Sequence, residues 1–421
     1  MSSNDNKQTN LEWLGYKRWS EIRKVQDFGG FLGWLLMALA LILICAAFIT
    51  LYDFLRAGLR LGPYANDGDG SAIRNIGLVL AALLGAPFVI WRSYVAAKQA
   101  RIQDEALFND KINAASRDLS ARRQTTREVN NDATKTILTE WQDDLVTRAA
   151  AIDRLEGLAQ ERPDETPRIA RMLSVYVREL SREFPAKEHP RHEWQRLIAP
   201  GDGTEPMSDT QALHHLGLSP DDVSIDALKS WARGLDPIRS DMEKAAQTLG
   251  RLKTVRGDEF DDVPIDLRGA NLQGFDLTSS ILDKALLQGA RMEGANFAEA
   301  RMEGANLYEA RMEGAFLFDA RMKGANLFDA RMEGADLSWA RFSGKTTFQL
   351  ATLRGASWKA VDCSNIPQIV KHLDDIFGDG SVTLPEGTPW PDHWPKEDLN
   401  AYDYHTQWRA FQRSIGYTPP A

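Results

Sequence analysis

Residues 265–344 read IDLRG ANLQG FDLTS SILDK ALLQG ARMEG ANFAE ARMEG ANLYE ARMEG AFLFD ARMKG ANLFD ARMEG ADLSW ARFSG. The third position of all 16 pentads is Leu, Met or Phe, and the first is mostly Ala. Five is a multiple of neither the helical period, 3.6, nor the strand period, 2. A helix with this pattern would smear its apolar residues around its surface. The period demands a coil that turns one large apolar side chain inward every five residues. A small residue two positions earlier fills the tight space beside it, and each coil covers its neighbour's interior, as in a solenoid. A one-residue slip near Lys345 precedes four looser units, TTFQL ATLRG ASWKA VDCSN.

The segment closely resembles the pentapeptide-repeat family, whose consensus is A(D/N)LXX. The resemblance implies a right-handed quadrilateral β-helix with four pentads per coil. Twenty pentads then make five coils, a rod roughly 24 Å long at about 4.8 Å per step. The likeness continues outside the repeat. WRSYVAAKQARIQDEALFNDKINAASRDL (91–119), AIDRLEGLAQ (151–160) and MLSVYVREL (172–180) resemble the helical region of bacterial inner-membrane pentapeptide-repeat proteins. PIDLRGANLQG (264–274) is similar to their lead-in to the repeat, and FGDGSVTLPEGTPWPDHWP (377–395) to a tail found after it. The resemblance implies no settled biochemical activity.

With four pentads per coil, the ten-residue super-repeat ARMEG-ANLxx places alternate pentads on opposite faces. Arg291, Arg311 and Arg331 stack on one face, accompanied by Glu293, Glu313 and Glu333. Arg301, Arg321 and Arg341 stack on the opposite face, where Glu303 is followed by Lys323. Neighbouring Arg and Glu either neutralise one another, at about 0–1 kcal/mol per exposed pair, or form a recognition face for a protein. The other two faces carry aromatics: Phe316, Phe318 and Trp339 on one, Tyr308 and Phe328 on its opposite. Outward aromatics on a soluble rod need a cover or a partner, and the aromatic-rich tail after residue 390 is a candidate cover.

Upstream, Phe28 to Tyr52 is a run of 25 uncharged residues, enough to span a bilayer as a helix. A second run of 17, NIGLVLAALLGAPFVIW, lies between Arg74 and Arg92. The two read as a transmembrane hairpin. Lys17, Arg18, Arg23, Lys24, Arg92, Lys98 and Arg101 flank it on one side, against Arg56, Arg60 and Arg74 in the connecting loop. That bias puts both termini in the cytoplasm. Gly77, Ala81 and Gly85 form a small-residue face for helix packing, within the hairpin or between chains. NDGDG (66–70) lacks the ligands of a calcium loop and reads as a turn.

The middle of the chain reads as helical. Ile102, Leu107, Ile112 and Leu119 continue the second span as an amphipathic stalk, interrupted by the polar QTTREVNNDATKT (124–136). Helices are expected over 136–160 and 166–184, turning at Pro163 and Pro167, and over 209–216, 225–235 and 238–252. Residues 185–209 read as a loop. Within it, HPRH (189–192) reads as solvated, since no further metal ligands match it. The expected architecture is therefore α+β: an N-terminal segment (1–27), a two-helix transmembrane hairpin (28–92), a helical adaptor (93–260), the β-helix (261–365) and an irregular tail (366–421).

The chain has 421 residues and a net charge of −9, which argues against general nucleic-acid binding. Two cysteines exclude a disulfide framework and a cysteine zinc site. No GxSxG, Walker loop, HExxH or dinucleotide fingerprint is present, and no cofactor or catalytic site is expected. The reading is a membrane-anchored scaffold at the bacterial inner membrane, with partners in the lipid bilayer, an unidentified protein and a second copy of the chain. The alternatives are an oligomeric membrane effector and a DNA mimic. Twelve acidic against nine basic residues in the 16 pentads leave only −3, little for a mimic.

Overall fold

The computed structural model describes residues 38–39, 41–42, 44–56, 59, 70–131, 134–200, 204–255 and 265–416. They fall into two compact units, one ending at Asn109 and one beginning at Asp110.

In the first unit, α1 (Gly70–Asp118) starts a continuous helix of 49 residues. From Gly77 it is long and apolar enough to cross a membrane, by length and composition, with mean hydropathy 1.7 in a window that is nowhere buried. It is the one such helix among the described residues. Residues 44–56 are helical as well. Thr50 returns its hydroxyl to the carbonyls of Ala46 (2.9 Å) and Ala47 (3.0 Å), which satisfies it without water. The expected first span, Phe28 to Tyr52, lies partly outside the described residues, as does the connecting loop over 61–69. A methyl group on Gly77 would meet the Phe54 ring at 3.4 Å, whereas Gly85 has nothing within 4 Å and Ala81 is exposed.

The second unit opens with the last turns of α1, where Ile112, Ala115 and Leu119 are buried. The stripe expected over the stalk is thus a core face here, while Ile102 and Leu107 are exposed. Next comes an antiparallel hairpin, β1 (Arg122–Asn131) with β2 (Thr134–Asp143), in register from Arg122↔Asp143 to Asn131↔Thr134. This corrects the helix expected from residue 136. Thr134, Thr136, Ile137 and Thr139 are β-branched and suit a strand better than a helix. The helix begins only after Asp144, whose carboxylate caps it by accepting from Thr147 N at 3.2 Å.

Helices α2 (Leu145–Glu161), α3 (Thr166–Glu183), α4 (Pro190–Ile198), α5 (Asp209–Leu216), α6 (Ile225–Arg233) and α7 (Ser240–Leu252) follow. α2, α3 and α7 bury Ile152, Leu155, Ile169, Leu173, Val177, Met242 and Leu249 against one another. Arg148 and Arg239 each reach Asp143 at 2.6 Å, and Arg239 also holds Asp241 at 2.6 Å. Tyr176 donates to Asp241 at 2.6 Å. This network ties the foot of the hairpin to the helices.

From Ile265 the chain winds as a rod. Parallel bridges join residues 20 apart, from Asp266↔Leu286 to Arg321↔Arg341. Met302, Leu307, Met312 and Leu317 share one interior with no exposure, and the alanines at first positions are buried beside them. From Gly269 to Trp339 the fifth residue of each pentad turns the corner with positive φ, as Gly294 (68°) or Glu309 (55°). The slip is a true insertion: after Gly344 the bridges span 21 residues, as in Asn326↔Thr347. Buried Thr346 absorbs it by donating to Met322 O at 3.0 Å. Pairing continues past the last recognisable pentad, through β3 (Ser357–Trp358) with β4 (Phe377–Gly378) and Asp362↔Thr383. α8 (Ala401–Ser414) closes the chain with Tyr404, Trp408 and Phe411 buried.

Candidate functional site

The two arginine columns share Arg at the second pentad position but have different surroundings. In the first, Glu293, Glu313 and Glu333 are almost completely buried. Arg291 Nε lies 2.6 Å from Glu293, Arg311 Nε sits between Glu293 (3.4 Å) and Glu313 (3.3 Å), and Arg331 between Glu313 and Glu333 (both 3.4 Å). The ladder is capped from outside by residues 187–195. Glu188 reaches Arg291 (2.6 Å) and Arg311 (3.2 Å), the Lys187 carbonyl accepts from Arg291 (2.9 Å), and Gln195 accepts from Arg331. His192 Nε2 lies 3.2 Å from Glu313, and its Nδ1 lies 2.9 Å from Glu188.

HPRH is therefore not a solvated loop. His189 caps α4 by accepting from Arg191 N, Pro190 takes the first helical position, and His189, Arg191 and His192 are all buried. Both imidazoles pack edge-on against Trp231, at 5.1 and 6.1 Å. The electrostatics follow from this burial. Burial works against the charge on Glu188, but the Arg311 and Arg291 guanidiniums outweigh it and hold the carboxyl at about 2. Burial, with His192 and Arg191 alongside, brings His189 down to about 4. Burial raises Glu293, reinforced by the charge of Glu313. Glu313 is held low against burial by His192, Arg311 and Arg331.

α6 runs along the adjoining corner. A methyl group on Gly294 would overlap the Ala232 carbonyl, and one on Gly274 the Leu235 carbonyl. The Arg233 guanidinium stands 4.3 Å over the Phe316 ring. Lys229 lies 3.4 Å over Trp408 of α8 and donates to Gln412 at 2.9 Å. Trp408 and Gln412 both donate to the Gly355 carbonyl, at 2.8 and 2.7 Å. The tail helix thus covers part of the Phe316 face. Phe318 and Trp339, at its outer edge, stay 45% and 51% exposed.

The second column is open. Arg301 pairs with Asp283 at 2.8 Å and Arg341 with Asp319 at 3.0 Å, but both side chains are about half exposed (43% and 52%). Arg321 is exposed and has no ion-pair partner among the described residues, and Lys323 beside it is exposed too. A groove of about 770 Å³ at this end is lined by Asp319, Lys323, Trp339, Arg341, Asp362 and Asn365. On the remaining face Tyr308 and Phe328 stack at 5.5 Å, with Tyr308 exposed. The structure therefore gathers Arg301, Arg321, Arg341, Phe318 and Trp339 on one accessible side, and sets Arg291, Arg311, Arg331 and Phe316 beneath helices.

Glu188, His192, Lys229 and Gln412 were not legible as contact residues. One signal was available for the first two: PRHEWQRLI starts with Pro and carries Trp194, Leu197 and Ile198 at helical spacing. Among the described residues no cluster of His, Cys, Asp or Glu has the makings of a metal site.

A solenoid with regular side-chain columns, two faces covered and two open, defines a structural and interaction class of protein. The family model for pentapeptide repeats matches it in 8 copies, over residues 265–297, 285–324 and 305–344, so this stretch of the chain consists of pentapeptide repeats. Similar solved structures include a pentapeptide repeat protein from the Arabidopsis thaliana thylakoid lumen, 24% identical over 29% of this chain and 84% of that one, with TM-score 0.19. HetL of Nostoc, involved in heterocyst differentiation regulation, is 23% identical over 32% of this chain and 68% of its own, with TM-score 0.19. Trypsin-treated QnrB1, a plasmid-mediated fluoroquinolone resistance protein, is 18% identical over 34% and 62%, with TM-score 0.16. No curated protein matches the chain.

Proposed function

We propose that the chain is a non-enzymatic scaffold, anchored in a bacterial inner membrane by a two-helix hairpin, that offers its second arginine face to a protein partner. The observation that carries this is the contrast between the columns. The protein covers Arg291, Arg311 and Arg331 with its own α4, and leaves Arg301, Arg321, Lys323 and Arg341 open beside Phe318 and Trp339. Arginine and tryptophan are enriched where protein interfaces concentrate their binding energy. Support for the anchor is the uncharged run before Asp53 and the apolar stretch of α1, and the basic bias of the flanks supports cytoplasmic termini. The open basic column disfavours DNA mimicry.

The test is a crosslinked pull-down from membranes with wild type and with Arg301→Glu, Arg321→Glu and Arg341→Glu combined. Loss of specific partners from the triple variant is expected, with membrane retention after alkaline extraction unchanged. Identical recovery by both baits ends the recognition reading, and release of the wild type by alkaline extraction ends the anchor.

A further inference from the structure

The first arginine column shows how this rod takes a helix. Parallel bridges step from Arg291 to Arg311 to Arg331, and equally from Arg301 to Arg321 to Arg341, so the two columns repeat one backbone geometry. On the first, the contacts climb the rod as the covering segment runs forward. Glu188, just before α4, spans Arg291 and Arg311, His192 reaches Glu313, and Gln195 reaches Arg331. Those positions stand at i, i+4 and i+7, one face of a helix. The match has a metric cause. Two coils advance about 9.6 Å, at about 4.8 Å per step, and seven helical residues advance about 10.5 Å. A helix laid along the rod therefore sets one residue per turn on each coil.

The second column offers the same steps without the same acids. In the first, the fourth pentad position supplies Glu293, Glu313 and Glu333; in the second it runs Glu303, Lys323 and Ser343. Asp283 and Asp319 reach Arg301 and Arg341 from the coil below, and Arg321 has no ion-pair partner among the described residues. Arg301, Arg321, Lys323 and Arg341 thus face only Asp283, Glu303 and Asp319, and beyond the slip the exposed Lys345 balances Asp362. The surplus is positive here, whereas the first column is matched by its own glutamates. Trp339, half exposed, lines the groove beside Lys323 and Arg341 and offers an apolar seat next to the free donors. Resting on the reading of this face as a recognition surface, we propose that it takes an acidic α-helix of a protein partner. The helix lies along the rod as α4 does on the opposite face, with carboxylates at i, i+4 and i+7 against Arg301, Arg321 and Arg341 and an apolar side chain against Trp339. The partner then supplies the charge-assisted acceptors that the chain itself supplies to the first column.

The test is fluorescence anisotropy on the full chain in detergent micelles, with two alanine-based peptides of equal composition and equal helicity by circular dichroism. One carries Glu at i, i+4 and i+7 beside a leucine, and the other turns the same residues to different sides of the helix. The aligned peptide should bind roughly tenfold or more tightly than the scattered one, and R321E should weaken it roughly tenfold or more. An aligned peptide with Lys in place of Glu should bind R301E/R321E/R341E, checked by its melting curve to be folded, and not the wild type. Equal binding of the aligned and scattered peptides, an aligned peptide indifferent to R321E, a lysine peptide that does not bind the folded triple variant, or no binding of either acidic peptide to the wild type would each overturn the proposal. Partners lost from the triple variant in the pull-down, while neither acidic peptide binds the wild type, would end the acidic helix and leave the recognition face standing.

Discussion

The two arginine columns form a natural internal control. Both stack arginines at the second pentad position on opposite faces of the same rod, ARMEG three times in the first column and ARMEG, ARMKG and ARFSG in the second, with the same positive φ where the columns start: 68° at Gly294, 67° at Gly304. One column is roofed by α4 and its carboxylates are dry, and the other faces solvent. The difference teaches that a repeat fixes where its side chains stand and leaves their role to whatever the rest of the chain lays over them. An arginine at the same pentad position makes a half-exposed pair with an aspartate on one side, as Arg301 with Asp283, and joins a ladder of buried glutamates on the other.

The sharpest way to break this comparison is to remove one arginine from each column. Arg311→Met leaves Glu293 and Glu313 buried with their shared guanidinium gone. Glu293 keeps Arg291, and Glu313 keeps Arg331 and His192, but each carboxylate already has one oxygen without a hydrogen bond and the ladder loses the guanidinium that joins them. Removing one partner of a buried ion pair costs about 3–5 kcal/mol. Arg321→Met, at an exposed site, should stay within about 0.5 kcal/mol. Chemical denaturation of the two variants in parallel reads the difference. Equal stabilities would show that the first ladder does not hold the roof.

A second comparison isolates the docking of α6. Gly294→Ala and Gly304→Ala both place a side chain at positive φ, about 1–2 kcal/mol each. Only Gly294 has the Ala232 carbonyl where the methyl group must go, while Gly304 has no neighbour closer than Lys284 Cγ at 3.6 Å. Gly294→Ala should therefore lose about 1–3 kcal/mol more, the usual range for overpacking. It should also raise protease sensitivity within 225–233. A matched loss in both variants would mean that α6 does not depend on this close approach.

The rod was legible through Gly344, with a slip near Lys345 whose register the structure supplies, because a buried apolar side chain every fifth position has one geometric solution. Its far end was not, because a short 3-10 helix, Pro367–His372, intervenes and Phe377 then resumes the pairing without a recognisable pentad. The helices over 209–216 and 240–252 were readable, expected over 209–216 and 238–252. The hairpin over 122–143 was missed because its polar, threonine-rich strands carry little hydrophobic period. The roof over the first column was missed for a different reason. Nothing local in HPRH distinguishes a histidine against solvent from one 3.2 Å from a buried glutamate 121 residues later. Long-range burial sets that chemistry, and a single sequence does not display it.

The smallest effect is a pH dependence confined to the roofed column. Glu188 spans Arg291 and Arg311, which hold its carboxyl at about 2 against the opposing effect of burial. A carboxyl lowered in the folded state stabilises fully above its ordinary value near 4.5 and loses that contribution as pH falls toward 2. His192 acts in the same direction: burial lowers it although Glu313 pulls the other way, so charging it as pH drops works against the docked arrangement. Glu188→Gln should lower the Tm at pH 7, and the gap to wild type should narrow steadily between about pH 5 and pH 3. Because Glu188 is partly exposed, salt should narrow the gap as well. Two melting curves that remain parallel from pH 7 to pH 3 would remove Glu188 from the latch and leave the roof to packing around Trp231 alone.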